Sequence, residues 1–333
     1  MDKIKNITLS IFLLFILSAC DESGEKTLPG FTGKLNEIVI VMDEYYWERK
    51  AGETIQSYFQ RPAKVLPQDE PLFGVIQIPH KAFTKILQRH RTIISVEIKK
   101  DSKASLEIEK DIWAKGQLVF KITAPNENAL INLINQNAEK IIEKISDEEN
   151  SKISKRLEVT QDKILAEKIK EKFGVEMLIT KEYKLAQEGE DFMWLVFNQT
   201  KGKGGDLHEL KRNILLYQKD YLSREMFETE NLISYRDSIG KKYISGALPN
   251  SYMTTTKILT PFKKIIKNDF YTVELRGLWH VENDFMGGAF LHYAFLNEME
   301  GKILFADAFL YAPKFDKRDY LKEQEAILRS INF

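Results

Sequence analysis

The 333-residue sequence predicts an α+β fold in three parts. These are a small N-terminal α/β sandwich, a charged helical connector, and a C-terminal, mostly antiparallel sheet covered by helices. Three observations predict it. Short apolar runs rich in β-branched residues alternate with amphipathic stretches over residues 34–125. A charge-dense stretch with helical periodicity then runs from Asn126 to Phe173. Beyond it, long strand-like runs succeed one another with short turns between them, the pattern of sequential antiparallel pairing.

In the first part, "NEIVIVM" (Asn36 to Met42) reads as a buried strand, and Trp47, Ala51, Ile55 and Tyr58 recur at helical spacing. Pro62, Pro67 and Pro71 enforce an irregular connection. "FGVIQI" is a second strand, Pro79 opens a helix carrying Ala82, Phe83, Ile86 and Leu87, and "TIISVEI", "SLEIE" and "QLVFKI" complete a mixed sheet.

The connector, residues 126–173, places Leu130, Ile134, Ile141 and Ile145 on one stripe. Ser146 with Glu149 forms a capping box that would restart the helix. Ile153, Leu157, Ile164 and Phe173 continue the seam to a stop at Gly174. Its charge density predicts a solvated helical link.

In residues 174–333, "VEMLIT", "FMWLVF", "NILLY", "SYMTTTKIL", "FYTVELRGLWHV", "AFLHYAFL" and "KILFADAFLY" read as strands. Turns are expected at Asn268–Asp269 and from Asn297 to Gly301. Helices are expected from Thr229 to Ile239, ended by Gly240, and from Asp316 to Ile331.

The N-terminus predicts an address. Lys3 and Lys5, an apolar run from Ile7 to Leu17, then Ser18 and Ala19 have the order of a secretory signal peptide, residues 1–19. A helix of about 11 residues covers roughly 16 Å, half a hydrocarbon core, so a membrane span does not fit. Leu17-Ser18-Ala19-Cys20 resembles the lipobox of bacterial lipoproteins. That resemblance implies a lipid on Cys20 and a tether, residues 20–33, on a membrane. Cys20 is the only cysteine. The mature chain then has no disulfide, cysteine nucleophile or cysteine-held metal. With 49 basic and 49 acidic residues, no basic face recommends nucleic acid as a partner.

Taken together, the lipobox, "GKLNEIVIVMDEYYWE", "PQDEPLFGVIQIPHKAF", "RDSIGKKYISG", "RGLWHVENDFMGG" and "KRDYLKEQEAILRSINF" resemble a family of Bacteroidota lipoproteins that carries a domain of unknown function. The resemblance covers essentially the whole chain and assigns no catalytic residue. It implies that the acids after Cys20 direct the protein to the outer membrane; in enterobacterial lipoproteins an aspartate there implies inner-membrane retention. "EAILRSINF" and the pattern around Tyr183 resemble the α/β/α sandwich of Mog1 and PsbP-like proteins, a likeness of fold alone.

Chemical motifs are few. His80, His90, His208, His280 and His292 lie too far apart for a zinc-peptidase pattern, and G-x-S-x-G is missing. No metal site or cofactor is expected. "GKGGD" (202–206) lacks phosphate-loop spacing and reads as a surface hairpin. Two constellations stand out. Asp43, Glu44 and Trp47 follow the first strand, where α/β sheets often bind ligands. Equally, the acids would favour a helix N-terminus and Trp47 would fill the core. Trp279, His280, Glu282, Asp284, Phe285 and Met286 surround a Gly-Gly turn. They form either a partner-binding loop or a core-capping turn. The function these features predict is a lipid-anchored envelope protein that binds or scaffolds an envelope partner. The alternative is an envelope hydrolase using dispersed carboxylates or histidines.

Overall fold

The computed structural model describes residues 28–257, 262–267 and 270–333. Cys20, the signal segment, residues 20–27 of the tether and the turn expected at Asn268–Asp269 lie outside the described residues. The α+β class is as expected, with two sheets.

The N-terminal sheet has the order β2-β1-β3-β5-β4. Its strands are β1 (Glu37–Val41), β2 (Gly74–Ile78), β3 (Thr92–Ile98), β4 (Ser105–Lys110) and β5 (Leu118–Ala124). All neighbours run parallel except β4, an antiparallel edge. After β1 come the one-turn helix α1 (Glu44–Trp47) and then α2 (Lys50–Phe59); one-turn α3 (Lys85–Gln88) precedes β3. Strand alternation sends Ile38, Ile40, Ile94 and Phe120 to the face covered by helices, where Ile55 and Phe59 meet them. Val39, Val41, Ile93 and Val119 face the other way, under connecting segments that carry Phe83 and Trp113.

Helix α4 (Glu127–Thr160) corrects the expectation of a solvated link with a restart at Ser146. It is one helix of 34 residues, about 51 Å long. The Asn126 side chain caps it, accepting from Ala129 N at 3.0 Å. Ser146 and Glu149 are interior positions. Lys322 Nζ donates to Ser146 Oγ at 2.7 Å. Glu149 is buried between Arg91 and Lys152. Leu130, Ile134, Ile141 and Ile145 belong to the N-terminal core, whereas Ile153 and Leu157 belong to the C-terminal one. A stripe that continues along the helix lets each half bury against a different sheet, so both ends are held.

Helix α5 (Lys163–Phe173) leads into the C-terminal lobe and ends at Gly174 in a left-handed conformation, φ 68°. The second sheet is antiparallel, in the order β10-β11-β12-β13-β8-β7-β6. The strands are β6 (Lys184–Gly189), β7 (Phe192–Lys203), β8 (Asp206–Asp220), β9 (Tyr252–Thr255), β10 (Phe262–Lys267), β11 (Phe270–Glu282), β12 (Gly287–Asn297) and β13 (Lys302–Tyr311). Short β9 also pairs with β11, alongside its far end. One face packs against α4, α5 and α7 (Arg318–Arg329) through Leu291, Tyr293, Phe295 and Ile327. The other packs against α6 (Thr229–Tyr243) through Phe290, Phe305, Leu232 and Ile239.

Several local expectations change, among them the helix after Pro79, which is a 3-10 turn (His80–Ala82) followed by one-turn α3, and Ile164, which is exposed and not part of the seam. "VEMLIT" is extended but forms only isolated bridges, Glu176 with Asn332 and Thr180 with Gln161. Its Val175, Met177 and Ile179 are nonetheless core residues. Of the described residues of "SYMTTTKIL", only Tyr252–Thr255 is strand, and Ile258 and Leu259 lie outside them. Gly240 does not end its helix, which runs on to Tyr243. A Cβ there would stand 2.4 Å from the Met253 carbonyl oxygen, so glycine permits close approach of β9.

The lobes are joined along α7. The carboxylate of Glu70, from the N-terminal lobe, accepts from the backbone N–H groups of Lys317 (2.7 Å) and Arg318 (2.8 Å). It therefore supplies the cap that Lys317, whose side chain makes no capping bond, does not. Asn36 Nδ2 donates to Asp319 Oδ1 at 2.9 Å beside it.

Candidate functional site

Leu310 pairs with Ala289 and Tyr311 with Lys211. The β11–β12 turn, the β7–β8 hairpin and the loop leading to α7 therefore all leave the same end of the C-terminal sheet. The Gly-Gly turn is built there. Val281 N donates to Met286 O at 2.8 Å, and Asn283 takes φ 62°, a conformation asparagine tolerates. At Gly288 a Cβ would lie 2.0 Å from the Leu310 carbonyl oxygen and 3.0 Å from Trp279 Nε1. Glycine is required because the Leu310 carbonyl occupies that position, with the Trp279 ring beside it.

The six residues grouped around this turn part company. Trp279 is a core residue, edge-on to Phe309 with ring centroids 5.3 Å apart, and it cannot contact a partner. Met286 packs partly against the same core. Asp284 is structural: its Oδ2 accepts from Ala247 N at 3.0 Å and laces the turn to the loop before β9. His280 lies 3.2 Å from Thr256 Oγ1 and 3.3 Å from Glu282 Oε2. His280 and Glu282 are at least partly exposed, and Phe285 is fully exposed. In the N-terminal lobe, Asp43 and Glu44 are exposed at the start of α1, while Trp47 packs against the core and is only partly accessible.

A groove of about 520 Å³ opens at the seam between the lobes, walled by Leu35 on one side and by Gly202, Lys203, Phe315, Tyr320 and Glu323 on the other. Lys203 Nζ donates to Lys314 O at 2.6 Å and stands 5.8 Å from the Phe315 ring centre. Lys201 Nζ donates to Tyr320 Oη at 2.8 Å. Arg212 stacks 3.9 Å above the Phe197 ring and bonds Glu323 Oε2 at 2.7 Å. Asp316 and Asp319 also line the groove, so three carboxylates with Glu323 stand against one cation, Lys203, and its aromatic faces suit a ligand with apolar groups without selecting an anion. Sequence reading missed this groove because its walls come from residues nearly 290 positions apart. The one local signal was "GKGGD", which forms the hairpin tip with Gly204 and Gly205 at positive φ.

Two polar networks are buried on either side of the C-terminal sheet. Beneath α6, Asp307 accepts from Arg236 Nε (2.5 Å) and Nη2 (3.3 Å), and lies 3.1 Å from His292 Nδ1. Arg236 Nη1 also donates to Thr255 Oγ1 at 2.9 Å. Burial alone would raise the Asp307 pKa, but the Arg236 charge and the His292 bond outweigh it and hold it below the usual aspartate value. Beneath α7, Glu325 pairs with Arg276 (3.1 Å) and Arg329 (3.0 Å). Those cations, with Lys322, overcome its burial and keep the carboxyl far below the ordinary range. His292 with Asp307 has the form of a general-base pair, but both side chains are fully buried. A hydrolytic substrate would have to displace α6 to reach them. Among the described residues no group of three or more His, Cys, Asp or Glu side chains is placed to hold a metal ion. None of the described helices is long and apolar enough to cross a membrane.

These features define a two-lobed α+β protein with a groove between an α/β lobe and an antiparallel-sheet lobe. Residues 162–330 match the family model of a domain of unknown function (DUF4837), and residues 32–158 match a second domain of unknown function (DUF8532). The first match spans half of the chain, and the chain belongs to that family. A search of curated proteins found no match. The two matches meet at the junction of α4 and α5, whereas the packing boundary lies elsewhere: Ile153 and Leu157, within residues 32–158, lie in the core of the region matched at 162–330.

Proposed function

We propose that this chain is an envelope lipoprotein of the Bacteroidota type, lipidated on Cys20 and held at the outer membrane, that works by binding another envelope component. The observation that carries the binding reading is the seam groove, an open cleft with Phe315, Tyr320 and Lys203 presented by both strands and helix. Ligand sites favour such domain junctions. The anchor reading rests on Leu17-Ser18-Ala19-Cys20. The likeness of the C-terminal half to Mog1 and PsbP-like proteins is supported by a sheet with helices on both faces. Hydrolysis has less support: among the described residues the His292–Asp307 pair lies in the core, and the His280–Glu282 contact lies on an exposed turn.

A photo-crosslinking residue placed at Lys203, in cells of the source organism, tests the binding reading. A discrete adduct from Lys203, missing when the probe is at exposed Met299 on the opposite end of the sheet, is the expected result. No adduct, or the same adducts from both positions, would refute it. The anchor is tested separately by fatty-acid labelling, which Cys20→Ala should abolish.

A further inference from the structure

We propose that the patch of Lys85, Ile86, Arg89 and Lys115, around the point where the tether enters the N-terminal lobe, rests on the anionic lipid surface in which Cys20 is anchored. The inference deepens the lipoprotein reading and rests on it. From exposed Leu28 onward the course of the chain is fixed at once. Lys115 N donates to Pro29 O at 2.8 Å, Arg89 Nη2 donates to Gly30 O at 3.0 Å, and Thr32 N donates to Arg89 O at 2.8 Å. Phe31 lies beneath two cations, with Arg91 Cζ 5.0 Å and Lys152 Nζ 5.1 Å from its ring centre. Gly30 and Thr32 bridge to Lys115 and His90, just ahead of β5 and β3. The tether therefore enters at the N-terminal ends of the parallel strands. The same end carries α3, because Gln117 Nε2 donates to Gln88 O at 2.6 Å and holds that turn beside the Lys115 loop.

Two observations argue for lipid as the occupant. The first is reach: eight residues separate Cys20 from Leu28, at most about 26–29 Å, so an anchored Cys20 keeps this end of the lobe within that distance of the bilayer. The second is charge. Lys85, Arg89 and Lys115 are exposed, and none has an ion pair among the described residues. The carboxylates nearby are already occupied: Asp111 Oδ1 accepts from Gly116 N and Gln117 N, and Glu37 Oε1 lies 3.0 Å from His90 Nε2. Ile86, 79% exposed, stands in the same turn as Lys85 and Arg89. An aliphatic side chain flanked by cations without counter-ions matches an anionic headgroup layer, where the cations meet phosphates and the isoleucine enters the acyl boundary. Such attraction acts within a Debye length, about 8 Å at physiological salt. The short tether supplies the proximity, holding the surface at an effective concentration in the millimolar range. Tyr45, 56% exposed, follows the C-terminal end of β1 at the opposite end of the sheet and should stay in water.

Cys20 is the only thiol, so the chain from Cys20 onward can be coupled chemically to a maleimide phospholipid and placed in phosphatidylcholine–phosphatidylglycerol vesicles containing acyl-brominated lipid. This separates the two readings: contact is measured whether or not cells lipidate Cys20, which fatty-acid labelling decides. After subtraction of the wild-type signal, the tryptophan in Ile86→Trp should emit blue-shifted and be quenched several-fold more than that in Tyr45→Trp. Adding Lys85→Glu and Lys115→Glu, both at exposed positions, should bring the quenching down to the Tyr45→Trp level, as should vesicles of phosphatidylcholine alone. Equal quenching at the two positions, with water-like emission from both, would overturn the proposal, and so would quenching at Ile86→Trp that survives the loss of charge on either side. A blue shift already present in the uncoupled Ile86→Trp chain, free of vesicles, would assign the patch to the acidic tether residues Asp21, Glu22 and Glu25 and would overturn it as well.

Discussion

Replacing Asp307 by Asn should be among the most costly single changes in the C-terminal lobe. The carboxylate and Arg236 are both excluded from water, and Asp307 accepts two of the guanidinium's bonds while Thr255 takes a third. Removing Asp307 leaves buried Arg236 with only the partly exposed Asp237, 3.9 Å away, as a counter-ion, a loss of about 3–5 kcal/mol. Arg236→Met should cost about as much for the same reason. The double variant removes both charges and leaves Asn to bond His292, so it should lie within about 2 kcal/mol of the wild type. The pair would then show a coupling of about 3 kcal/mol or more, far from additive. Urea unfolding followed by tryptophan emission measures all four proteins, because Trp194 and Trp279 report from this lobe. Acid adds a second signature. The folded Asp307 pKa lies below its unfolded value, so the unfolded chain binds more protons in that window. Its contribution is fully present above a pH of about 4 and is lost as pH falls through the folded value. That component of the pH dependence should vanish in Asp307→Asn. Single variants costing under about 1 kcal/mol, or a double variant equal to their sum, would refute the argument.

Glu70→Ala should destabilise the chain by about 1–2 kcal/mol by uncapping α7 across the seam; hydrogen exchange at Lys317 and Arg318 should accelerate, and unchanged exchange would count against the clasp. Limited proteolysis should cut first at Gly204–Gly205, with residues 146–155 of α4 protected. First cuts inside α4 would restore the picture of a solvated link. Phe285→Ser should change stability by about 0.5 kcal/mol or less, while Gly288→Ala should cost about 1–3 kcal/mol or more because Leu310 and Trp279 occupy the space its methyl needs. Thermal melts of the two variants should separate clearly.

What the amino-acid sequence determined by itself was local. The β-branched runs became strands, the apolar stripe of residues 130–157 became one face of a helix, and Gly174 ended the helix after it. Those outcomes depend on periodicity and on φ preferences that neighbouring residues settle among themselves. The unbroken apolar character of "AFLHYAFL" was also a true signal, because both faces of β12 are covered. Tertiary structure decided the rest. Ser146 and Glu149 could have capped a new helix, but Lys322, Arg91 and Lys152 claimed their side chains, so the helix continued. Alternation put Trp279 and His280 on opposite faces, but only the docking of α6 placed Trp279 in the core. In the turn, the backbone at Asn283 turned Phe285 outward and left Met286 against the core, although the two are adjacent and similarly apolar. The groove, the Glu70 cap and the Arg236–Asp307 pair join residues 70 to nearly 290 positions apart. No window along the chain contains both partners, and their free energy exists only once two sheets and α4 have brought them together.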